Sequence, residues 1–180
     1  MSIILIILIV IAAILAILLI AAAQLQSEYS IERDITIARP GQEVFDYIKL
    51  IRNQANYNKW VMMDPNAKKE YTGTDGTVGF ILAWDSENKQ VGKGEQEIKN
   101  IVDGQRIDLA IRFVKPFEGE STAFMTTTPI SGNQTKIQWV FGGKRNLLMK
   151  VMHLLMNLKK MLGKDMETSL TNLKELLEKK

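Results

Sequence analysis

Hydrophobic and polar positions along the chain follow three different patterns. From Ile3 to Ala23 there is no alternation: 21 residues dominated by Ile, Leu and Ala run without a charge or a hydroxyl. From Tyr29 to Ile37, Ile31, Arg33, Ile35 and Ile37 alternate with Ser30, Glu32, Asp34 and Thr36, the period of a half-buried strand. Pro40 and Gly41 end that run, and Val44, Phe45, Ile48 and Ile51 take up helical spacing with Pro40 just before or inside the first turn. An irregular stretch through Asn53, Asn56, Asn58 and Trp60 leads to Pro65. Strand character then returns in six runs: Lys68 to Thr72, Val78 to Asp85, Val91 to Ile101, Arg106 to Phe113, Ser121 to Thr128 and Thr135 to Gly142. The turn signals between them, such as Asp75-Gly76, Asp103-Gly104 and Gly132-Asn133, are short, which predicts antiparallel neighbours. From Asn146 onward Leu148, Val151 or Met152, Leu155, Leu158, Leu162, Met166, Leu170, Leu173 and Leu177 recur at steps of three or four. That spacing predicts one long amphipathic helix, eased near Gly163. The order is α+β, and a curved antiparallel sheet gripping the final helix is its natural solution.

The first segment reads as a transmembrane helix, because about 20 apolar residues at roughly 1.5 Å each span the hydrocarbon core of a bilayer. A cleaved signal peptide is the competing reading, with Ala21, Ala22 and Ala23 as its small-residue site. The apolar run is longer than a signal core of about 7–15 residues, and no Lys or Arg precedes it. The expected organisation is therefore an anchor over residues 1–27 and a soluble domain over 28–180. Arg33, Arg39, Lys49 and Arg52 all follow the anchor, which favours a single-pass protein with its soluble domain in the cytoplasm.

Composition narrows the chemistry. With no cysteine, disulfides, thiolate metal sites and thiol nucleophiles are absent. A single histidine, His153, cannot build a usual zinc site, so no metal or other cofactor is expected. The formal charge of +3 is too modest, and too little clustered with aromatics, for a nucleic-acid binder. Gly92-Lys93-Gly94 lacks the downstream helix of a dinucleotide loop and reads as a bend in a strand. Glu95 and Glu97 share a strand face with Lys93 and Lys99, the pattern of an exposed row of alternating charge rather than an acid–base pair. Gly92, Gly94, Gln96 and Ile98 fall on the opposite face.

From Tyr29 to Lys180 the residues resemble the START-like superfamily, also called SRPBCC or polyketide cyclase-like. The carriers are ITIARPGQEVFDYI, NYNKWVMMDP, VGFILAW, VGKGEQEI, FVKPFEG, TKIQWVFGG and MLGKDMETSLTNLKELLE, in that order and spacing. With its anchor, the chain is also similar to a bacterial group of such proteins. The resemblance implies a helix-grip fold with a deep, mostly apolar cavity between sheet and C-terminal helix, used by relatives for lipids and other bulky hydrophobic molecules.

On that expectation Trp60, Trp84, Gln96, Phe113, Phe124, Trp139, Met152 and Leu155 are the candidate ligand contacts. Five of the nine methionines, Met149, Met152, Met156, Met161 and Met166, would suit an adaptable apolar cavity. Lys144, Arg145, Lys150, Lys159 and Lys160 lie in a stretch from Lys144 to Lys164 without an acidic residue, and are candidates to face an anionic membrane. The expected function is membrane-anchored binding of a hydrophobic small molecule or lipid without covalent chemistry. An enzyme of the cyclase, dehydratase or hydrolase kind would need Gln96 to meet Asp108, Glu70 or Tyr71 inside the cavity. An adaptor for a membrane partner would have a collapsed cavity.

Overall fold

The computed structural model describes residues 2–179. Helix α1 (Ile3–Gln24) is capped by the Ser2 side chain, which accepts from the Leu5 N–H. It is long and apolar enough to cross a membrane and is exposed along most of its length. Ala22 is the exception, fully buried near the end of the helix, where α1 packs on helix α4 (Leu147–Met156).

The sheet has seven strands: β1 (Glu28–Ile37), β2 (Lys68–Thr72), β3 (Ile81–Asp85), β4 (Lys93–Val102), β5 (Arg106–Lys115), β6 (Gly119–Ser131) and β7 (Gln134–Lys144). Their order is β1-β7-β6-β5-β4-β3-β2, and every pair is antiparallel. Between β1 and β2 come α2 (Gly41–Ile48), a 3-10 turn (Ile51–Asn56) and the short helix α3 (Lys59–Met62). Alternation gives the sheet its two faces. Gly94, Gln96 and Ile98 on β4, Ile107 and Leu109 on β5, and Ile137, Trp139 and Phe141 on β7 turn inward. Lys93, Glu95, Glu97 and Lys99 sit outside in a charged row, where Arg112 bridges both glutamates and Lys99 and Lys93 pair with Glu97 and Asp85.

The last helix, α5 (Leu158–Glu178), buries Met166, Leu170, Leu173 and Leu177 against the sheet and packs along β1. Burying side chains of this size stabilises by about 1.5–3 kcal/mol each. This is the helix-grip arrangement. The expected single helix from Asn146 is in fact two. The break falls at Asn157, whose left-handed backbone (φ 46°) ends α4 while its side chain accepts from the Lys160 N–H to start α5. Gly163 does not ease the helix. It is buried where α5 crosses β1, and a Cβ there would fall 2.1 Å from Nη2 of Arg33, which reaches across to pair with Glu167.

Candidate functional site

Between the inner face of the sheet and the segment from Gln54 to Lys69 lies a cavity of about 230 Å³. Strands β3, β4 and β5 supply Leu82, Trp84, Gln96, Leu109, Ile111 and Phe113 to its wall. Ala123 from β6, Trp139 and Phe141 from β7, and Leu162 from α5 add to the apolar part, with Trp60, Val61, Ala67 and Val91 from the connecting segments. Register explains the grouping: Gln96 stands opposite Ile111 and Leu82, Gly94 opposite Phe113 and Trp84, and Ala123 opposite Phe141.

Two aromatic clusters shape the space. Trp60 meets Trp139 edge-on at 5.8 Å and lies 6.2 Å from Phe141. Its position is set by Asn58, whose side chain caps α3 by accepting from the Trp60 N–H at 3.0 Å. Trp84 meets Phe113 edge-on at 6.2 Å and donates from Nε1 to the Val91 carbonyl at 3.2 Å. Gly94 makes room for that indole, since a Cβ there would lie 2.8 Å from its ring and 2.5 Å from the Arg112 carbonyl oxygen.

The polar side chains of the wall are Gln54, Asn58, Asp64, Lys69, Gln90 and Gln96, and most are engaged. The Gln54 and Gln96 side-chain amides face each other, Gln96 Nε2 donating to Gln54 Oε1 at 2.9 Å and Gln54 Nε2 to Gln96 Oε1 at 3.4 Å. Asn58 Nδ2 approaches Gln54 Oε1 at 3.5 Å, and all three residues are buried. At the margin Asp64 accepts from Ser86 Oγ at 2.5 Å, and Lys69 Nζ donates to the Pro65 carbonyl at 3.0 Å. Trp139 Nε1 is buried and has no acceptor among the described residues. Deeper in the core Tyr57, also without a partner for its hydroxyl among the described residues, has its phenol pKa pushed far up by burial. Among the described residues no group of three or more His, Asp or Glu could hold a metal ion.

The structure brings together Trp60, Trp84, Gln96, Phe113 and Trp139 in one wall. It does not place Phe124, Met152 or Leu155 there. Phe124 points to the outer face of β6, because Ser121, Ala123, Met125 and Thr127 are the inward residues, and the Arg106 guanidinium stacks 3.8 Å over its ring. Met152 and Leu155 belong to α4, which the break at Asn157 carries away from the grip, and Leu155 is 67% exposed. Among the five methionines of this region, Met166 alone is fully buried, and it serves the core. Asp108, Glu70 and Tyr71 do not meet Gln96 either: Asp108 pairs with Arg106 outside, Glu70 with Lys68, and Tyr71 lies under Arg52.

Among the wall residues that sequence reasoning missed are Gln54, Asn58, Leu109 and Leu162. Leu109 was recoverable from its period-two relation to Phe113, whereas Gln54 and Asn58 lie in an irregular stretch without a period. Of the five basic candidates, Lys144, Lys159 and Lys160 are exposed, Lys150 is half-buried, and Arg145 is drawn into a second, polar pocket beside His153.

Comparison with solved structures shows the same fold at low identity. A Mesorhizobium loti protein aligns with a TM-score of 0.62 and 13% identity over 84% of this chain and 98% of its own. A Chromobacterium violaceum protein aligns with a TM-score of 0.56 and 17% identity, covering 83% and 96%. Truncated norcoclaurine synthase from Thalictrum flavum aligns with a TM-score of 0.55 and 13% identity, covering 83% and 93%. No curated protein matches the chain. The family model described as polyketide cyclase / dehydrase and lipid transport matches residues 28–178, and the chain belongs to that family.

Proposed function

We propose that this chain is a membrane-anchored binding protein that holds a hydrophobic small molecule or lipid in the sheet–helix cavity and performs no covalent chemistry. The observation that carries this reading is the character of the wall: mostly aromatic and aliphatic, with the buried amides of Gln54, Asn58 and Gln96 bonded to one another and one buried donor, Trp139 Nε1, left over. Buried donors without partners are uncommon, and a ligand acceptor at Trp139 would satisfy this one. Trp60, Trp84, Gln96, Phe113 and Trp139 are the ligand contacts in this reading. In this reading helix α1, long and apolar enough to cross a membrane, is the anchor, and the basic residues that follow it favour a cytoplasmic domain.

The titratable side chains of the wall are Asp64 and Lys69, each held at the margin by its own hydrogen bond, which weighs against acid–base catalysis at the centre. An open cavity weighs against a purely adaptor role. The test is native mass spectrometry of the full chain, purified in uncharged detergent from its host, with extraction and identification of what it carries. A discrete hydrophobic molecule, lost in a Leu162→Trp variant that keeps its melting temperature, supports the proposal. An empty protein whose cavity takes up no hydrophobic probe would reject it.

A further inference from the structure

A second pocket, of about 400 Å³, lies at the foot of α1 and is lined by Gln26, Glu28, Tyr29, Ser30, Arg145, His153 and Lys159. Arg145 is built into it: one terminal nitrogen donates to the Glu28 carbonyl at 2.9 Å, and the other lies 3.4 Å from His153 Nδ1. Its guanidinium carbon sits 5.3 Å from the centre of the Tyr29 ring, and its buried Nε has no acceptor among the described residues. His153 packs edge-on against Tyr29 at 5.0 Å.

Arg145 and Lys159 line the pocket against a single carboxylate, Glu28, with which neither forms an ion pair among the described residues, so the lining is net cationic. Elsewhere most basic side chains are paired with carboxylates, among them Arg33, Lys59, Lys93, Arg106, Arg112 and Lys174. Lys144, Arg145, Lys150, Lys159, Lys160 and Lys164 have no ion-pair partner among the described residues. A net cationic lining in which the guanidinium keeps a buried, unpaired N–H is the chemistry of an anion site. The apolar surroundings narrow the anion further. The pocket lies just past the end of the membrane-length helix, and on α4, beside His153, Leu154, Leu155 and Met156 are 41%, 67% and 55% exposed.

We propose that this pocket holds the phosphate of an anionic phospholipid headgroup, with Arg145 and Lys159 as its charged ligands and the exposed face of α4 against the acyl chains. The inference rests on α1 being a membrane span. It locks the domain at a set distance from the leaflet, so that the anchor is followed by a second, headgroup-specific contact.

His153, the sole histidine, reports on the site directly. The full chain, with its histidine ring isotope-labelled and in uncharged detergent, is titrated with short-chain phosphatidylglycerol, short-chain phosphatidylcholine and inorganic phosphate while the imidazole resonances are followed. The expected result is a saturable shift with phosphatidylglycerol, little response to phosphatidylcholine, and inorganic phosphate at least about tenfold weaker. Lys159→Gln, an exposed substitution, weakens phosphatidylglycerol binding about tenfold, and adding Arg145→Gln abolishes the shift. Inorganic phosphate binding as tightly as the lipid would reassign the site to a free anion, and an absence of any response would overturn it outright. Flotation with pure phosphatidylcholine vesicles tests the span separately: a chain that floats yet shows no His153 shift loses the headgroup site and keeps the anchor.

Discussion

Gln54 and Gln96, 42 positions apart in sequence, meet inside the domain with their amides joined by reciprocal hydrogen bonds of 2.9 and 3.4 Å. One comes from the 3-10 turn and the other from β4, so the pair ties the irregular segment over the cavity to the sheet beneath it. Gln96→Leu removes one partner and leaves the Gln54 amide short of hydrogen bonds, at an expected cost of about 1–3 kcal/mol. The double variant Gln54→Leu with Gln96→Leu should lose less than the sum of the two singles. Denaturant unfolding in a double-mutant cycle measures the difference, and additive losses would show that the pair is not coupled.

Gly94 has no room for a side chain between the Arg112 carbonyl and the Trp84 indole. Gly94→Val is expected to lower stability by about 1–3 kcal/mol and to displace Trp84 from the cavity wall. Thermal unfolding together with near-ultraviolet circular dichroism checks both effects. An unchanged tryptophan signal would mean that the strand yields instead of the ring.

Tyr57 carries a fully buried hydroxyl with no partner among the described residues. Removing an unsatisfied polar atom while keeping the ring relieves a desolvation cost, so Tyr57→Phe should leave the melting temperature unchanged or raise it. A marked loss would reveal a bound water or ligand on that oxygen.

The break at Asn157 separates the apolar helix α4 from the amphipathic helix α5 and gives them different roles. Met166→Ala opens a hole in the core and should cost about 2–5 kcal/mol. Leu155→Ala, on exposed α4, should change stability in detergent by no more than about 0.5 kcal/mol. Comparable losses at the two sites would contradict the division.

Burial, with the neighbouring Arg145 guanidinium as a smaller cause, holds the His153 imidazole below its ordinary pKa of 6.5. The unfolded chain therefore takes up a proton at His153 before the folded one does. Its contribution to stability is full above the unfolded pKa of about 6.5 and is lost as pH falls from there through the folded value. Imidazole shifts followed by NMR should place the midpoint below 6.5, and His153→Gln should flatten the dependence of melting temperature on pH in that window. A midpoint above 6.5 would mean that an anion, not Arg145, dominates the electrostatics of the ring.

Much of the architecture was legible because it depends on local periods. Alternation in β1 and β4 sorted inward from outward residues, including Gln96 opposite the charged row of Lys93, Glu95, Glu97 and Lys99. On β6, residues 121–128 are small or polar except for Phe124 and Met125, which lie on opposite faces, and by its aromatic ring Phe124 reads as the inward one. Arg106 stacking on Phe124 is a long-range contact that no local pattern announces.

By itself the amino-acid sequence determined the apolar span of Ile3–Ala23, the α+β order of elements, the antiparallel neighbours implied by short turns, and the apolar stripe from Met166 to Leu177. Each follows from forces between residues a few positions apart. The tertiary structure alone decided that Gln54 and Asn58 close over the cavity, that the final helix divides at Asn157, and that α4 rests against α1 with Arg145 and His153 in a pocket below. Those outcomes depend on which surfaces remain to be covered once the sheet has curved, and on buried polar groups finding partners far away in the chain.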